Sequence, residues 1–519
     1  MLILLLAFVL RFIKLGQIPD GLTWDEAAIG YNGYAIVHTR RDEWLERLPV
    51  SFKSFGDYKA PLAIYINGIF TFIFGLNPWA VRLPFALFGV AAVLGFYLLT
   101  KQIFKYFTIK TNFKKDNLAL LGALALATSP WHLHFTRAGF ESGLALTFVI
   151  WGTFFVFRFL SDVSKAQQLK LWQKRQSLRK LCLISSGFIC WVAALYTYHS
   201  AKIFLPLLGI FLLILCFKNF WQQKVYIFLA GIISLILLKL LIWDSLFGSG
   251  LKRSDTLVFS LGWPLLPTTW LIIKNLLTHL SPKFLVFGDV STLRHGTGVI
   301  GVLMPTTYLL GIFGVLRSKL KKFNYFILGW IIIGLLPAAL GKLIPQANRS
   351  LLALPGFIWL AVYGLDQLKG LLNGQKQKII VTLVGAIYLI SFSFYLFIYY
   401  GQFVRESSDD YLSGYLEAFA ISQDYEKGDN DRDKKSNIIF TSDYGQPYIY
   451  ALFAKKMNPI WYQGGSLNNY FFTDNINESD LAKENVLIVA GGDDDLPEED
   501  ADEIIYAADG SIRFKMYAR

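Results

Sequence analysis

Charge is scarce in this chain, and so are the residues that staple or ligate. Asp, Glu, Lys and Arg make up only 17% of 519 residues, against 54% apolar, whereas a soluble domain carries about 25% charged residues. A wholly soluble globular protein is thereby excluded. Cysteine occurs three times, at Cys182, Cys190 and Cys216, always in or beside an apolar run and never as CxxC. Neither a disulfide framework nor a cysteine metal site is expected. There is no glycine-rich phosphate loop and no internal repeat. The first residues, MLILLLAFVLRFIKL, lack a basic leader and a small-residue cleavage site. They read as a retained first span. Arg11 and Lys14 at its far end either snorkel outward or follow further residues upstream.

What the chain has in abundance is long hydrophobic runs. Val225–Trp243 and Ile379–Tyr400 each hold about the 20 residues that cross a bilayer as helix. Backbone polar groups in lipid must pair internally, so such runs are helical. Eleven spans are expected, at 2–15, 80–100, 117–131, 142–160, 181–197, 203–217, 225–243, 298–316, 324–340, 350–366 and 379–400. Cations crowd the loops after every second span, as at Lys101–Lys115, Lys165–Lys180, Lys218/Lys224, Arg317–Lys322 and Lys369–Lys378. Those loops are read as cytoplasmic. The N-terminus then lies inside, and residues 401–519 lie outside a plasma-type membrane. Residues 1–400 hold 39 Lys+Arg against 14 Asp+Glu, while 401–519 hold 11 against 23. Positive charge confined to short loops excludes a nucleic-acid footprint.

Two domains are expected: a membrane domain over 1–400, with a large outer loop at 16–79, and an acidic soluble α/β domain over 401–519. NIIFTS and NVLIVAGG read as buried strands, YIYALFAKKM as a helix between them, and EIIYAADGSIRFKMYA as a hairpin turning at Asp509-Gly510. DDDLPEED reads as a solvated loop.

Ionisable residues gather at the outer ends of the spans. Asp25 and Glu26 open a helix just past span one, a placement that suits a general base or a metal ligand, or more plainly a pair complementing the helix dipole. Asp57, Tyr58 and Lys59 follow in the same loop. Span three ends in SPWHLHFTRAGFES, where Arg137 and Glu141 stand four apart and are expected to share a helix face. Span five ends at His199 and Lys202, and Arg349 follows span nine. His134 and His199 belong to the same outer set. The loop 244–297 is expected to cover this polar cavity, with Gly248, Gly250 and Gly262 letting it move.

These segments carry a resemblance. GLTWDEAAIGYNGYAI, RRDEWLERLPVSFKSFGDYKAPLAIYINGIF and VRLPFALFGV look like the first-loop signature of polyprenyl-phosphate-dependent GT-C glycosyltransferases, which include protein O-mannosyltransferases and lipid A aminoarabinose transferases. SPWHLHFTRAGFES, LYTYHSAKIFLPLL, FLVFGDVSTLRHGTGVIGVLMPTTYLLGI and PQANRSLLALPGFIWLAVYGL resemble later blocks in the same order. The likeness covers residues 1–400. It implies a mainly helical transmembrane bundle and a sugar donor on a polyprenyl phosphate. It makes Asp25 the catalytic carboxylate, with Glu26 and Glu141 beside it, and Lys59, Arg137, Lys202 and Arg349 the phosphate-holding cations. Asp57, Tyr58, His134 and His199 would line the pocket. Two departures bear on a divalent metal: Tyr58-Lys59-Ala60-Pro61 and Gln346-Ala347-Asn348-Arg349 lack a Glu or second Pro and a His that members often have. A metal therefore stays open, with Asp25 and Glu141 as candidate ligands and Glu141 or Asp57 supplying the missing one.

The implied reaction is a single displacement with inversion, onto a protein, glycan or lipid acceptor. A transporter or flippase for a lipid-linked substrate is the alternative. It would place charges or broken helices in mid-membrane and show inverted repeats.

Overall fold

The computed structural model describes all residues except 162–169, 250–255, 291, 318–320, 428–436, 463–466 and 468. Lys165, Lys319 and Gly250 therefore lie outside the described residues. The chain divides into two compact units, one of residues 1–13, 58–62 and 85–396, the other of 14–57, 63–84 and 397–519.

The protein is a multi-pass membrane protein. Among the described residues seven helices are long and apolar enough to span: Pro78–Tyr106, Glu141–Ser161, Ser177–Thr197, Lys224–Phe247, Lys322–Ala339, Ala347–Gly370 and Gly374–Glu406. The remaining four expected spans are shorter or broken. Leu2–Phe12, His199–Leu215 and Pro305–Leu316 are apolar helices below full spanning length, and the third expected span is a pair, Lys115–Ala127 and Pro130–Arg137, bent by 53°. The bend has a local cause. Ser129 caps the second helix by accepting from the His132 amide, and Pro130 at its first position has no N–H to continue the helix before it. The 298–316 run starts its helix only at Pro305, because Gly301 packs directly on the Leu285 backbone.

Burial sorts these helices. The Ala347–Gly370 segment is 83% buried, whereas Lys224–Phe247 is 11% buried, exposing Phe228, Leu235 and Ile236. Exposed apolar stripes of that kind face lipid. Arg11 turns inward, contrary to the expectation that it snorkels. It is fully buried and donates to Thr136 Oγ1 (3.0 Å) and to the Ala7 and Ala127 carbonyls, with His132 Nδ1 2.7 Å away.

In the other unit the tail builds a five-stranded sheet. Strands β1 (Phe52–Ser54) and β2 (Asp57–Lys59) precede it in the first loop, and the tail supplies β3 (Asn437–Thr441), β4 (Tyr470–Thr473), β5 (Val486–Gly491), β6 (Glu503–Tyr506) and β7 (Ile512–Ala518). The order is β4-β3-β5-β7-β6. β3 runs parallel to β4 and β5, while β7 pairs antiparallel with β5 and β6. β5 is buried throughout, as the unbroken apolar run VLIVAG requires of a central strand. The hairpin turns at Gly510, whose φ of +90° suits glycine. β4 and the Tyr415–Lys427 helix carry no clear sequence signal and were not expected.

The first loop folds with this tail. Helix Trp24–Thr39 shares one core with helix Pro447–Lys455, joining Ala27, Ala28 and Tyr31 to Ile449, Tyr450 and Phe453. Tyr31 Oη donates to the Met457 carbonyl (2.9 Å) and Tyr450 Oη to the Leu22 carbonyl (2.6 Å).

Small residues set a close helix contact in the bundle. A Cβ on Gly364 would collide with the Leu310 carbonyl, and one on Gly314 would lie 2.6 Å from the Leu360 carbonyl. Bilayer helices use such positions to bring backbones together. Gly364→Leu is expected to lower the melting temperature and yield of detergent-purified protein, a cost of about 1–3 kcal/mol or more from overpacking. Gly209→Ala, where a Cβ meets nothing within 4 Å, should leave both unchanged. Equal melting of the two variants would refute this packing account.

Candidate active site

The Asp25/Glu26 pair opens helix Trp24–Thr39, and the helix start is built around Glu26. Thr23 is the N-cap. Its hydroxyl accepts from the Glu26 amide (3.2 Å), and Glu26 Oε2 accepts from the Thr23 amide (3.0 Å), a reciprocal capping box. Glu26 is 1% exposed and pairs with Arg82, which is fully buried, at 2.8 Å. Arg82 satisfies all five of its donors: Nε and Nη2 on Glu26, Nη1 on the Leu15 and Pro19 carbonyls, Nη2 also on the Gly21 carbonyl. Glu26 thus locks the loop. Asp25, one residue earlier and about 100° around the helix, is half-buried instead. Trp24 beside it packs against Gly445 and stacks edge-on with Phe55, 6.3 Å away.

A second carboxylate pair in the same unit escaped the sequence reading. Asp42 and Glu43 are 1% and 0% exposed. Asp42 Oδ1 accepts from the Trp44 and Glu46 amides (2.9 and 2.8 Å), while its Oδ2 is buried without a hydrogen-bond partner. Burial, opposed by those two backbone bonds, pushes Asp42 up to about 6. Glu43 exchanges two bonds with Asn32, its amide donating to Oδ1 (3.0 Å) and its Oε1 accepting from Nδ2 (3.3 Å). Burial first, and the charge of Glu43 second, push the hydroxyls of Tyr31, Tyr448 and Tyr462 up. In the sequence these acids sit among Arg40, Arg41 and Arg47 and look like a solvated charge run.

The cation set lies in the other unit. His199 Nε2 is 2.9 Å from the Tyr58 carbonyl, which fastens the Tyr58–Lys59 segment to the start of helix His199–Leu215. Lys202 stands one turn along that helix, on the face of His199. Arg349 opens helix Ala347–Gly370 and donates to Thr256 Oγ1 (3.3 Å) beneath Gly341. Its turn is fixed by His279, which is fully buried. His279 Nδ1 is 2.7 Å from the Asn275 carbonyl, and Nε2 accepts from the Gln346 amide (3.0 Å). Burial lowers the pKa of His279, so the neutral ring serves this bond. The 244–297 loop reaches the same segments: Leu257 bridges to Gly341, and the Arg294 carbonyl lies 2.6 Å from His134 Nε2.

Arg137 and Glu141 do not share a helix face. Helix Pro130–Arg137 ends at Ala138 in extended backbone, and Glu141 begins the next helix. Arg137 is fully buried, with Nη1 and Nη2 on the Leu10 and Ile13 carbonyls at the end of helix Leu2–Phe12 (both 2.8 Å). Among the described residues no three His, Cys, Asp or Glu side chains come together as a metal site. Asp25, Glu26 and Asp57 thus belong to one unit, and Tyr58, Lys59, His134, Arg137, Glu141, His199, Lys202 and Arg349 to the other.

Solved structures share this architecture. The chain is similar to ArnT from Cupriavidus metallidurans bound to undecaprenyl phosphate, with 13% identity and a TM-score of 0.54 over 99% of this chain and 97% of that one. It is similar to the Archaeoglobus fulgidus oligosaccharyltransferase tethered to an acceptor peptide, with 14% identity and a TM-score of 0.54 over 99% and 73%. The archaeal oligosaccharyltransferase AglB in complex with an inhibitory peptide and a dolichol-phosphate matches with 13% identity and a TM-score of 0.50, over 87% and 63%. The fold is that of GT-C glycosyltransferases. No protein-family model matches the chain, and no curated protein does.

Two outcomes follow from the first-loop geometry. Arg82→Lys keeps the charge but offers three donors for five acceptors. It is expected to destabilise the fold nearly as much as Glu26→Gln, each by about 3–5 kcal/mol for a broken buried pair, read by thermal melting. A fully stable Arg82→Lys would show the carbonyl contacts to be dispensable. Asp42 acts through pH. A carboxyl raised in the folded state contributes stability below its ordinary pKa near 4, and that contribution is lost as pH rises through about 6. Asp42→Asn can keep both amide bonds, so it should melt higher than wild type at pH 7, with the gap closing toward pH 4. A constant gap across that range would refute the raised pKa.

Proposed function

We propose that this protein is a membrane glycosyltransferase that moves a sugar from a polyprenyl-phosphate carrier to an acceptor on the outer face. The observation that carries the reading is the division between two adjacent carboxylates. Glu26 is committed to a cap and an ion pair, while Asp25 is held at a fixed helix start with its side chain half-exposed. The fold shared with ArnT and with the archaeal oligosaccharyltransferase supports it, and so does the lipid phosphate present in the ArnT and AglB structures.

In this reading Asp25 accepts the proton of the acceptor hydroxyl as the new glycosidic bond forms. The bond from the anomeric carbon to the carrier phosphate oxygen breaks in the same displacement, so the configuration inverts and the lipid phosphate leaves. That phosphate gains negative charge in the transition state, where preset cations act most strongly. In this reading Lys59, Lys202 and Arg349 take this role, with Tyr58 and His199 beside them in the same unit. Arg137, tied to two carbonyls, braces helix Leu2–Phe12, and Glu141 supports the neighbouring turn. His134 anchors the covering loop. A metal has no converging donor set among the described residues, and no step is assigned to one.

Sugar transfer in proteoliposomes with radiolabelled polyprenyl-phosphate donors tests the proposal. Asp25→Asn should lower kcat by roughly 10²–10⁴ with donor KM little changed. Lys59→Gln and Lys202→Gln should raise donor KM. Normal turnover by Asp25→Asn would move the base elsewhere. Donor translocation without transfer, by wild-type protein, would favour the flippase.

A further inference from the structure

A polar cavity sits at the far ends of the helices that carry the cations. His199–Leu215 starts at His199 and ends at Leu215 on the cavity wall. Lys322–Ala339 starts on the wall and ends one residue before Leu340, where the segment carrying Gly341 begins. Ala347–Gly370 starts beside Arg349 and brings Tyr363 and Gln367 to the wall. At 1.5 Å per residue the two ends lie roughly 25 Å apart, about a bilayer core. The cavity is therefore on the face that the loop charges mark as cytoplasmic.

Its volume is about 640 Å³, and its walls carry Lys110, Lys321 and Lys322, with no acidic residue among the described residues that line it. All three lysines are exposed. Tyr106 Oη donates to Asn219 Oδ1 (3.0 Å), giving the wall a fixed polar edge. The positive end of the 18-residue Lys322–Ala339 helix also opens here, and no side chain caps it. Ile214, Phe217 and Tyr325, one or two positions from wall residues, are exposed apolar or aromatic side chains. Three cations, hydroxyl and amide groups and a helix start suit a phosphate ester.

We propose that this cavity binds a phosphate ester on the cytoplasmic side, presented by an anionic lipid headgroup or by a soluble phosphate compound. The site is independent of the transfer chemistry. A lysine near such an anion contributes roughly a fivefold gain in affinity, and the three together set the preference for negative over zwitterionic ligands.

Native mass spectrometry of the detergent-purified full chain tests this with phosphatidylglycerol, phosphatidylcholine and glycerol 3-phosphate. The tightest-bound phosphatidylglycerol should be held at least tenfold more strongly than phosphatidylcholine, and weakened at least tenfold in a Lys110→Gln, Lys321→Gln, Lys322→Gln triple variant. Displacement by millimolar glycerol 3-phosphate would identify a site that takes soluble esters. Binding of the lipid without such displacement would identify a headgroup site. Should the triple variant fail to fold, Gln367→Glu places one negative charge on the wall and should weaken binding severalfold, with Gln367→Asn near wild type. Retained affinity in the triple or the Gln367→Glu variant, or binding of neither anionic probe, overturns the proposal.

Discussion

The first loop depends on one guanidinium. Arg82 gathers the carbonyls of Leu15, Pro19 and Gly21 and the carboxylate of Glu26 onto a single planar group. Without it, three backbone acceptors would lose this donor and the buried Glu26 carboxylate its counter-charge, each costing on the order of 1–3 kcal/mol or more. The chain from Lys14 to Thr23 has no regular structure of its own beyond that hub, apart from its turns. Fixing that stretch fixes the N-cap at Thr23, and the N-cap fixes where the next helix points its first turn. The tail then adds its own restraint. The helix carrying the carboxylates shares a core with Pro447–Lys455, so the sheet domain acts as a scaffold for the loop.

That arrangement explains why two neighbouring acids can have different fates. A carboxylate that must accept a proton needs room for substrate and a defined position, and a mobile side chain on a mobile loop has only the first. In the proposed reading Glu26 provides the second for Asp25, because it holds the helix end through both of its oxygens. The same economy governs the Arg349 turn, where His279 is kept neutral by burial and accepts one amide bond. A protonated ring could not accept that bond.

Much of the membrane fold was legible in the sequence, because lipid allows few ways to satisfy a backbone. Runs such as 225–243 and 379–400 had to be helices, and the tail's strands and hairpin turn announced themselves through apolar runs and Asp509-Gly510. The reading failed where a local rule cut across an apolar run. Ser129-Pro130 is a cap followed by a helix-starting proline, and it divides what composition alone merges into one span. Glycine packing at Gly301 delays another helix to Pro305. The carboxylates at Asp42 and Glu43 were illegible for a different reason. Their burial depends on Asn32 and on tyrosines more than four hundred residues away, contacts that no local pattern encodes. Asp25 and Glu26 were visible as a pair, but their division of labour follows from Arg82, 56 residues on.

Arg11 and Arg137 show how a buried basic residue near a helix end can serve the backbone. Breaking the third span at Thr128–Ser129 frees carbonyls inside a region where water cannot reach them. Arg11 answers this from another helix, with Nη1 reaching the Ala127 carbonyl at 3.3 Å and Nε on Thr136. Arg137 does the same for the end of helix Leu2–Phe12, whose last carbonyls have no intrahelical partner. Each burial of a charge is costly on its own and becomes tolerable because the guanidinium meets several strong acceptors at once. The two arginines are reciprocal. Arg11, on the first helix, satisfies the broken span, and Arg137, on the broken span, satisfies the first helix. Position at a helix end therefore does not distinguish a phosphate ligand from a structural brace. The distinction comes from what the guanidinium already touches, and both of these arginines hold backbone carbonyls.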